Sequence, residues 1–127
     1  MSAVDSPPYI PFAISIVPDR DEVAVVPIGD LDITSVDEVQ QAVVDLRSAG
    51  FGRILVDLRG VGFIDSTGLR MLISLRNDAK RTGYSLTLTG ARPAAERIFK
   101  VTGTRGLFEW RSSGPFVEPR DRPQHGD

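Results

Sequence analysis

The residues best suited to chemistry lie in Val61–Leu72, where an apolar run meets a polar step and then an amphipathic pattern. The step consists of Asp65, Ser66 and Thr67. Each of these residue types can cap a helix, because its side-chain oxygen accepts a hydrogen bond from a free backbone N–H. Gly68 follows, and glycine in the first turn lets another backbone or a partner come close. The pattern predicts a Ser66 hydroxyl at the positive end of a helix, as a nucleophile, a bare cap or a phosphate acceptor.

Nucleophilic catalysis by Ser66 would need a histidine held beside the serine to accept its proton. The sequence has a single histidine, His125, and it lies in a stretch that we expect to be a tail. The chain also lacks the P-loop and dinucleotide-binding glycine motifs. These absences argue against a serine hydrolase and against a dedicated nucleotide site, and we predict no catalytic residue and no cofactor.

Carboxylates are the remaining candidates for metal ligands, because the chain has no cysteine. Asp30, Asp32 and Asp57 are expected near the C-terminal ends of strands, where open α/β sheets bind ligands. Asp65 stands at the polar step. These residues leave a Mg²⁺ or phosphoaspartate site open as an alternative. Aspartates in such loops more often cap and solvate the loop, so we predict no metal site.

Length and composition limit the class of protein. A chain of 127 residues is enough for one domain with a hydrophobic core. Its net charge of -2 implies no strongly basic face for nucleic acid. No apolar stretch approaches the roughly 18 residues of a membrane span, and the N-terminus lacks the pattern of a signal peptide. We expect a cytoplasmic protein without direct contact to nucleic acid or membrane.

The elements that position the polar step follow from the spacing of apolar residues. Strands are predicted at residues 12–17, 23–28 and 53–58. A first helix is predicted from Ser35 to Ala49, because Ser35 and Glu38 form a capping-box pattern and Gly50 follows the last turn. A helix between two strands predicts a parallel strand pair with a right-handed crossover.

A second helix is predicted from Thr67 to Thr82. Its buried face is predicted to contain Gly68, Leu72, Leu75 and Ala79. Its exposed face is predicted to contain Arg70, Ser74, Asn77 and Arg81. Ile73 lies near the exposed face, either as a singly exposed apolar residue or as a contact point for a partner.

The last elements complete the predicted order. A strand is predicted at residues 85–89, and a third helix begins at Pro93, because proline suits the first turn. Its inward-facing residues are predicted to be Ala94, Ile98, Phe99 and Val101. Residues 107–110 form either a last short strand or a docking segment.

The order β-β-α-β-α-β-α, with a possible final strand, predicts an α/β domain. We expect a mixed β-sheet of four to five strands with helices packed against it. The domain is predicted to span residues 12–110. Residues 1–11 are predicted to be a flexible arm, and residues 111–127 a disordered tail.

One segment, residues 56–72, resembles the STAS family of anti-sigma factor antagonists. Its sequence is V-D-L-R-G-V-G-F-I-D-S-T-G-L-R-M-L, and the family hallmark is an apolar strand followed by a D-S-[ST]-G-[LI] step into a helix. Ile28–Asp32 resembles the family's G-[ED]-[LI]-D loop. The segment from Arg92 to Phe108 resembles its third helix and closing segment. The resemblance covers about residues 12–110.

The resemblance implies a switch protein without catalysis of its own. Members of this family bind an anti-sigma factor that is also a serine kinase, and this binding frees a sigma factor for transcription. The kinase phosphorylates the serine of the D-S step, here Ser66, and the phosphorylated form lets go. A PP2C-type phosphatase then resets the protein. Asp32 is expected beside this serine in the family fold.

We predict that one surface around the helix start binds the partner. It comprises Asp30, Asp32, Asp65, Ser66, Thr67, Gly68, Arg70 and Ile73. The main alternative is a phosphorylation-independent STAS module for protein interaction or ligand sensing. An enzyme with a carboxylate-bound metal is the more distant alternative.

Overall fold

A computed structural model describes residues 11–112 of the chain. Their elements are β1 (Ala13–Asp19), β2 (Glu22–Leu31), α1 (Val36–Ser48), β3 (Arg53–Val56), β4 (Val61–Ile64), α2 (Ser66–Thr82), β5 (Ser85–Thr89), α3 (Pro93–Thr102) and β6 (Glu109–Arg111). A 3₁₀ turn at Arg105–Leu107 precedes β6. The predicted arm and tail lie outside the described residues, except for their innermost positions. Arg111, which the sequence placed in the tail, is the last residue of β6.

The long strand β2 organises the sheet. The order across the sheet is β1-β2-β3-β5-β6, and β4 pairs with β2 outside that path. β1 is antiparallel to β2, and the other pairs are parallel. β2 pairs with β3 over Glu22–Val25, and with β4 through Gly29 and Leu31. The C-terminal end of β2 therefore lies beside β4, immediately before α2 begins.

The mixed α/β fold class is confirmed, but the described residues form six strands where four to five were predicted. The predicted strand at 53–58 ends earlier, at Val56. The chain then turns, with the Val61 N–H donating to the Leu58 carbonyl oxygen at 3.0 Å, and continues as the separate strand β4. Hydrophobicity does not mark this turn, because Leu58 and Val61 on its two sides are both fully buried.

The hydrophobic core lies between the sheet and the three helices. The predicted faces of α2 are confirmed, since Gly68, Leu72, Leu75 and Ala79 are buried and Arg70, Ser74, Asn77 and Arg81 are exposed. Ile73 is only partly exposed and packs against the core. Within residues 11–112, every helix falls short of the length and apolar character needed to cross a membrane.

The inward face of α3 was predicted wrongly at two positions. Phe99 is fully buried, and its ring contacts Phe108 and Trp110 edge-on at centroid distances of 5.7 and 5.0 Å. This aromatic cluster sets the rotation of α3. It turns Ala94 and Val101 outward, where both are exposed.

The predicted capping box of α1 is also wrong. Ser35 precedes α1, but its hydroxyl makes no capping hydrogen bond. It donates instead to the Asp30 carbonyl oxygen at 2.7 Å and accepts from the Asp32 N–H at 3.1 Å. Ser35 is buried under the loop that follows β2, so its polar atom holds this loop in shape.

Candidate functional site

Asp65 fixes the start of α2 against the end of β2. Its carboxylate accepts a hydrogen bond from the Gly68 N–H at 2.9 Å, which caps the helix. Its own N–H donates to the Leu31 carbonyl oxygen at 3.2 Å, and its carbonyl oxygen accepts from the Leu69 N–H at 2.9 Å. The residue is therefore held on both sides, by β2 and by the first turn of α2.

Gly68 allows this close approach. A Cβ atom at this position would lie 2.5 Å from the Leu31 carbonyl oxygen and 2.9 Å from Cγ2 of Ile64. Both distances are shorter than van der Waals contact, and the nearer atom belongs to the backbone. The expectation that Gly68 lets another element come close is confirmed, and that element is β2.

Ser66 is the first residue of α2 and is exposed. Asp65 already caps the helix, and the Ser66 hydroxyl makes no hydrogen bond within residues 11–112. The hydroxyl therefore stands at the positive end of a 17-residue helix with its donor and acceptor free for a partner or a modifying enzyme.

The loop after β2 lies next to this helix start. The carboxylate of Asp32 accepts hydrogen bonds from the Thr34 hydroxyl at 2.6 Å and the Thr34 N–H at 2.9 Å. The Thr34 hydroxyl, with help from the N–H, holds the pKa of Asp32 below its ordinary value. Asp30 is exposed and leans over β4, with Oδ1 3.2 Å from where a Cβ of Gly62 would be. Asp30 belongs to β2, which extends to Leu31, so this part of the expected loop is strand. The end of β2 and the loop after it thus present two carboxylates beside β4 and α2.

Asp57 does not belong to this group. It is buried, and its Oδ2 lies 2.7 Å from Nη2 of Arg59. Burial raises the pKa of Asp57, but the hydrogen bonds and charge of Arg59 outweigh it and hold that pKa below its ordinary value. Among residues 11–112, no three or more His, Cys, Asp or Glu side chains come together as metal ligands would. The structure therefore adds no support to the alternative of a carboxylate-bound metal.

The residues of the predicted partner surface lie side by side around Ser66. Further along α2, fewer of them are exposed. The pairing of Leu31 with Ile64, together with the Leu31–Asp65 hydrogen bond, brings the end of β2 and the following Asp32 beside Ser66. Arg70 is exposed one turn further along α2. Ile73 adds only the outer edge of a partly buried side chain.

Three exposed apolar side chains near Ser66 were missed from the sequence. Ile33, in the loop after Asp32, is 74% exposed. Phe63 of β4 is 49% exposed and Val101 of α3 is 68% exposed. Ile33 was recognisable as a lone apolar residue between polar neighbours. The other two depend on how β4 and α3 are rotated, which no local pattern reports.

Phe63 and Val101 lie along a groove that also contains Ser66. The groove has a volume of about 270 Å³ and runs between β4, the start of α2 and the outer side of α3. Its apolar walls come from Phe63, Ile98 and Val101, and Arg97 is the basic residue that lines it. The free hydroxyl therefore opens onto a partly apolar channel with one cation.

The fold and the step at Ser66 can be compared with known families. The chain belongs to the STAS domain family, because the family model described as "Mlab, STAS domain" matches residues 15–109. The resemblance inferred from the D-S-T-G-L step is thereby confirmed.

Several relatives share this domain. An anti-sigma-B factor antagonist of Staphylococcus epidermidis is 29% identical over 80 residues, which cover 63% of this chain and 74% of that protein. The structure of an anti-sigma factor antagonist from Mycobacterium paratuberculosis matches with a TM-score of 0.71 at 20% identity, covering 81% of this chain and 87% of that chain. At this identity, the likeness between the two structures is one of fold.

SpoIIAA is an anti-sigma factor antagonist from Bacillus, and its structure has been solved in an unphosphorylated and a phosphorylated form. Its unphosphorylated form matches with a TM-score of 0.64 at 17% identity, covering 81% of this chain and 90% of that chain. Its phosphorylated form matches with a TM-score of 0.58 at 15% identity, covering 92% of this chain and 100% of that chain. These comparisons, too, show a shared fold.

Proposed function

We propose that this chain is an anti-sigma factor antagonist, a regulatory binding protein that captures an anti-sigma factor and so releases a sigma factor. The observation that carries the proposal is the exposed Ser66 hydroxyl, which makes no hydrogen bond within residues 11–112 although it stands at the start of a long helix. A residue kept only for capping would bond to its own helix. Support also comes from the STAS family match and from relatives named as anti-sigma factor antagonists.

Phosphorylation of Ser66 switches this binding off. The anti-sigma factor acts as a serine kinase: Ser66 Oγ bonds to the γ-phosphorus of ATP, ADP leaves, and the hydroxyl proton passes to a base of the kinase. A PP2C-type phosphatase hydrolyses the phosphate ester and restores the hydroxyl. SpoIIAA, which shares the fold, has been seen in both forms, and this supports the proposal.

The expected action of the phosphate is local. It adds about -1.5 to -2 charges at neutral pH, and the helix dipole stabilises such charge by only about 0.3–1 kcal/mol. Asp65 next to it, Asp30 at the end of β2 and Asp32 on the following loop oppose the new charge. These opposed effects are small, so the fold should survive. A partner surface that covers the phosphate without a matching cation would lose roughly several kcal/mol, and each 1.4 kcal/mol is about tenfold in affinity.

Calorimetric titration against the purified anti-sigma factor tests the switch. Wild type is compared with stoichiometrically phosphorylated wild type and with Ser66→Asp, with Ser74→Asp as the matched control on the same helix. We expect phosphorylation to weaken binding by at least about tenfold, while Ser74→Asp binds like wild type. Circular dichroism should be nearly identical for all forms. Equally tight binding by the phosphorylated protein would refute the switch.

The rival function, a STAS module that works without phosphorylation, gives a different result in the same experiment. In that case the partner binds, but incubation with the kinase and ATP leaves Ser66 unmodified. Mass spectrometry of the incubated protein distinguishes the two. Ser66→Ala should accept no phosphate and still bind, because the variant keeps the Asp65 cap.

A further inference from the structure

Charge around Ser66 is unevenly distributed. On the acidic side, the carboxylate of Asp65 accepts the hydrogen bond of the first-turn Gly68 N–H, Asp30 lies near the end of β2, and Asp32 lies on the loop that follows. A phosphate ester at Ser66 would therefore find one first-turn donor, the Gly68 N–H, already used and three carboxylates in the neighbourhood. A nearby cation would stabilise such a dianion, because each like charge close to it raises its free energy.

Two arginines lie in the elements that border that position. Arg70 lies one helical turn further along α2, at the i+4 position, where side chains on one helix face can meet. Arg97 lies on α3, across the groove, and lines the same channel as Ser66. Arg70 does not line this channel. Neither guanidinium makes a hydrogen bond or an ion pair within the part of the chain that the structure describes.

The acidic neighbour of Arg97 is already engaged. Glu96 accepts a hydrogen bond from the Ala91 N–H at 3.2 Å through one carboxylate oxygen, and its other oxygen lies 3.3 Å from Nε of Arg105. Arg97 therefore has no carboxylate to compete for it among its neighbours in the sequence. Its planar guanidinium can donate two parallel hydrogen bonds to phosphate oxygens, a geometry that arginine favours.

We propose, on the basis of the Ser66 phosphorylation proposed above, that Arg97 is the internal counter-ion of the phosphoserine. The ion pair joins the start of α2 to α3 across the mouth of the groove. It draws the Arg97 side chain over the apolar walls formed by Phe63 and Val101. Phosphorylation thus adds charge at the contact surface and also covers the apolar channel beside it.

Phosphorus-31 NMR tests this assignment without any partner protein. Phosphoserine is installed at position 66 during translation, and the phosphate resonance is followed from pH 4 to 8, with pH as the only variable. Wild type is compared with Arg97→Gln, with Arg97→Lys and with the matched control Arg70→Gln. An adjacent guanidinium stabilises the dianion, so its removal must raise the second pKa of the phosphate, which is about 6 when unperturbed.

We expect Arg97→Gln to raise that pKa by at least about half a unit, a threefold gain in proton affinity. Arg70→Gln should raise it by less than half as much, and Arg97→Lys should restore part of the difference. A shift from Arg70→Gln that reaches half or more of the Arg97→Gln shift would overturn the assignment, and so would an unchanged value in Arg97→Gln. Circular dichroism of the unmodified variants checks that α3 remains folded.

The two proposals can fail independently. Phosphoserine is installed here without a kinase, so a kinase that never modifies Ser66 would refute the proposed switch and leave the Arg97 ion pair standing. Conversely, a phosphoprotein that releases its partner but titrates identically in Arg97→Gln would refute only the ion pair.

Discussion

Asp65 and Ser66 are adjacent, but they have different roles at the start of α2. The Asp65 carboxylate caps the helix through the Gly68 N–H, whereas the Ser66 hydroxyl is exposed. We expect Asp65→Ala to lower the free energy of unfolding by about 0.5–2 kcal/mol, the usual cost of losing a cap. Ser66→Ala should change it by less than about 0.5 kcal/mol, as for other exposed positions. Urea unfolding at pH 7 measures both, and equal losses would contradict this division of roles.

Gly68 gives a second prediction, about packing. Gly68→Ala should lower the free energy of unfolding by about 1–3 kcal/mol, because the new methyl group overlaps the Leu31 carbonyl oxygen. Alanine has a higher helix propensity than glycine, which by itself would raise the free energy of unfolding by about 1 kcal/mol. A net loss would therefore show that the steric overlap outweighs this gain. The matched control is Gly52→Ala, where a Cβ meets nothing within 4 Å. Urea unfolding should show no loss there, and a Gly68→Ala protein as stable as wild type would contradict the close approach of β2.

The choice among the three possible caps could not be made from the sequence. Aspartate, serine and threonine are all good capping residues, and they stand side by side at positions 65–67. The hydrogen bond from the Asp65 N–H to Leu31 decides between them, because it makes Asp65 the last residue outside the helix. That bond depends on where β2 ends, and this is set by the tertiary structure and not by the local sequence.

At the scale of elements, one partly buried ion pair ties the last described strand to the second. Arg111 of β6 donates to both carboxylate oxygens of Glu22 in β2, at 2.8 and 2.7 Å. The hydrogen bond from Arg111 is the main reason that the pKa of Glu22 lies below its ordinary value of 4.5. A lowered pKa in the folded state means that the contribution to stability is full above the unfolded value and is lost as the pH falls through the folded value.

Measuring the free energy of unfolding as a function of pH checks the direction of the pKa shift of Glu22. Other carboxylates also lose stability in acid, so the measured quantity is the difference in free energy of unfolding between wild type and Glu22→Gln. That difference should be largest near neutral pH and shrink as the pH falls below 4.5, the ordinary value for this carboxyl group. Arg111→Gln removes the main cation and leaves Arg53, whose Nη2 lies 3.8 Å from Oε2 of Glu22, so it should reduce the pH dependence. Parallel pH curves for wild type and Glu22→Gln would contradict the lowered pKa.

The sequence predicts an element well where one apolar face dominates it. The prediction fails where a contact with a distant part of the chain sets the rotation or the end of the element. The two faces of α2 followed directly from its helical spacing. The rotation of α3 did not, because Phe99 packs on Phe108 and Trp110, which come later in the chain. The break between β3 and β4 was missed for a similar reason: β4 is only four residues long and exists because the end of β2 pairs with it.

At the scale of the whole molecule, the fold gathers distant segments around one hydroxyl. The loop after β2, the start of α2 and the outer side of α3 all border Ser66. The sequence could place the first two together, because both follow strands of one parallel sheet. It could not place α3 there, so Arg97 and Val101 were absent from the predicted surface. Phe63 was absent because its exposure depends on how β4 is rotated.

Ile33 provides the sharpest test of that surface. Interfaces derive most of their affinity from a few well-buried side chains, and Ile33 is a 74% exposed apolar residue in the loop beside Ser66. Ile33→Asp should weaken binding of the anti-sigma factor by about tenfold or more, or roughly 1.4 kcal/mol. Val44→Asp is the matched control, since Val44 is 48% exposed on α1 and is not part of this surface.

Ile73→Asp is a less suitable probe than Ile33→Asp, because Ile73 packs partly against the core and its substitution also lowers stability. Calorimetry gives the affinities, and thermal unfolding confirms that each variant is folded at the temperature of titration. The prediction requires Ile33→Asp to lose affinity while keeping its melting temperature close to that of wild type. If Val44→Asp lost as much affinity as Ile33→Asp, the partner would be contacting α1, and the surface around Ser66 would not be the binding site.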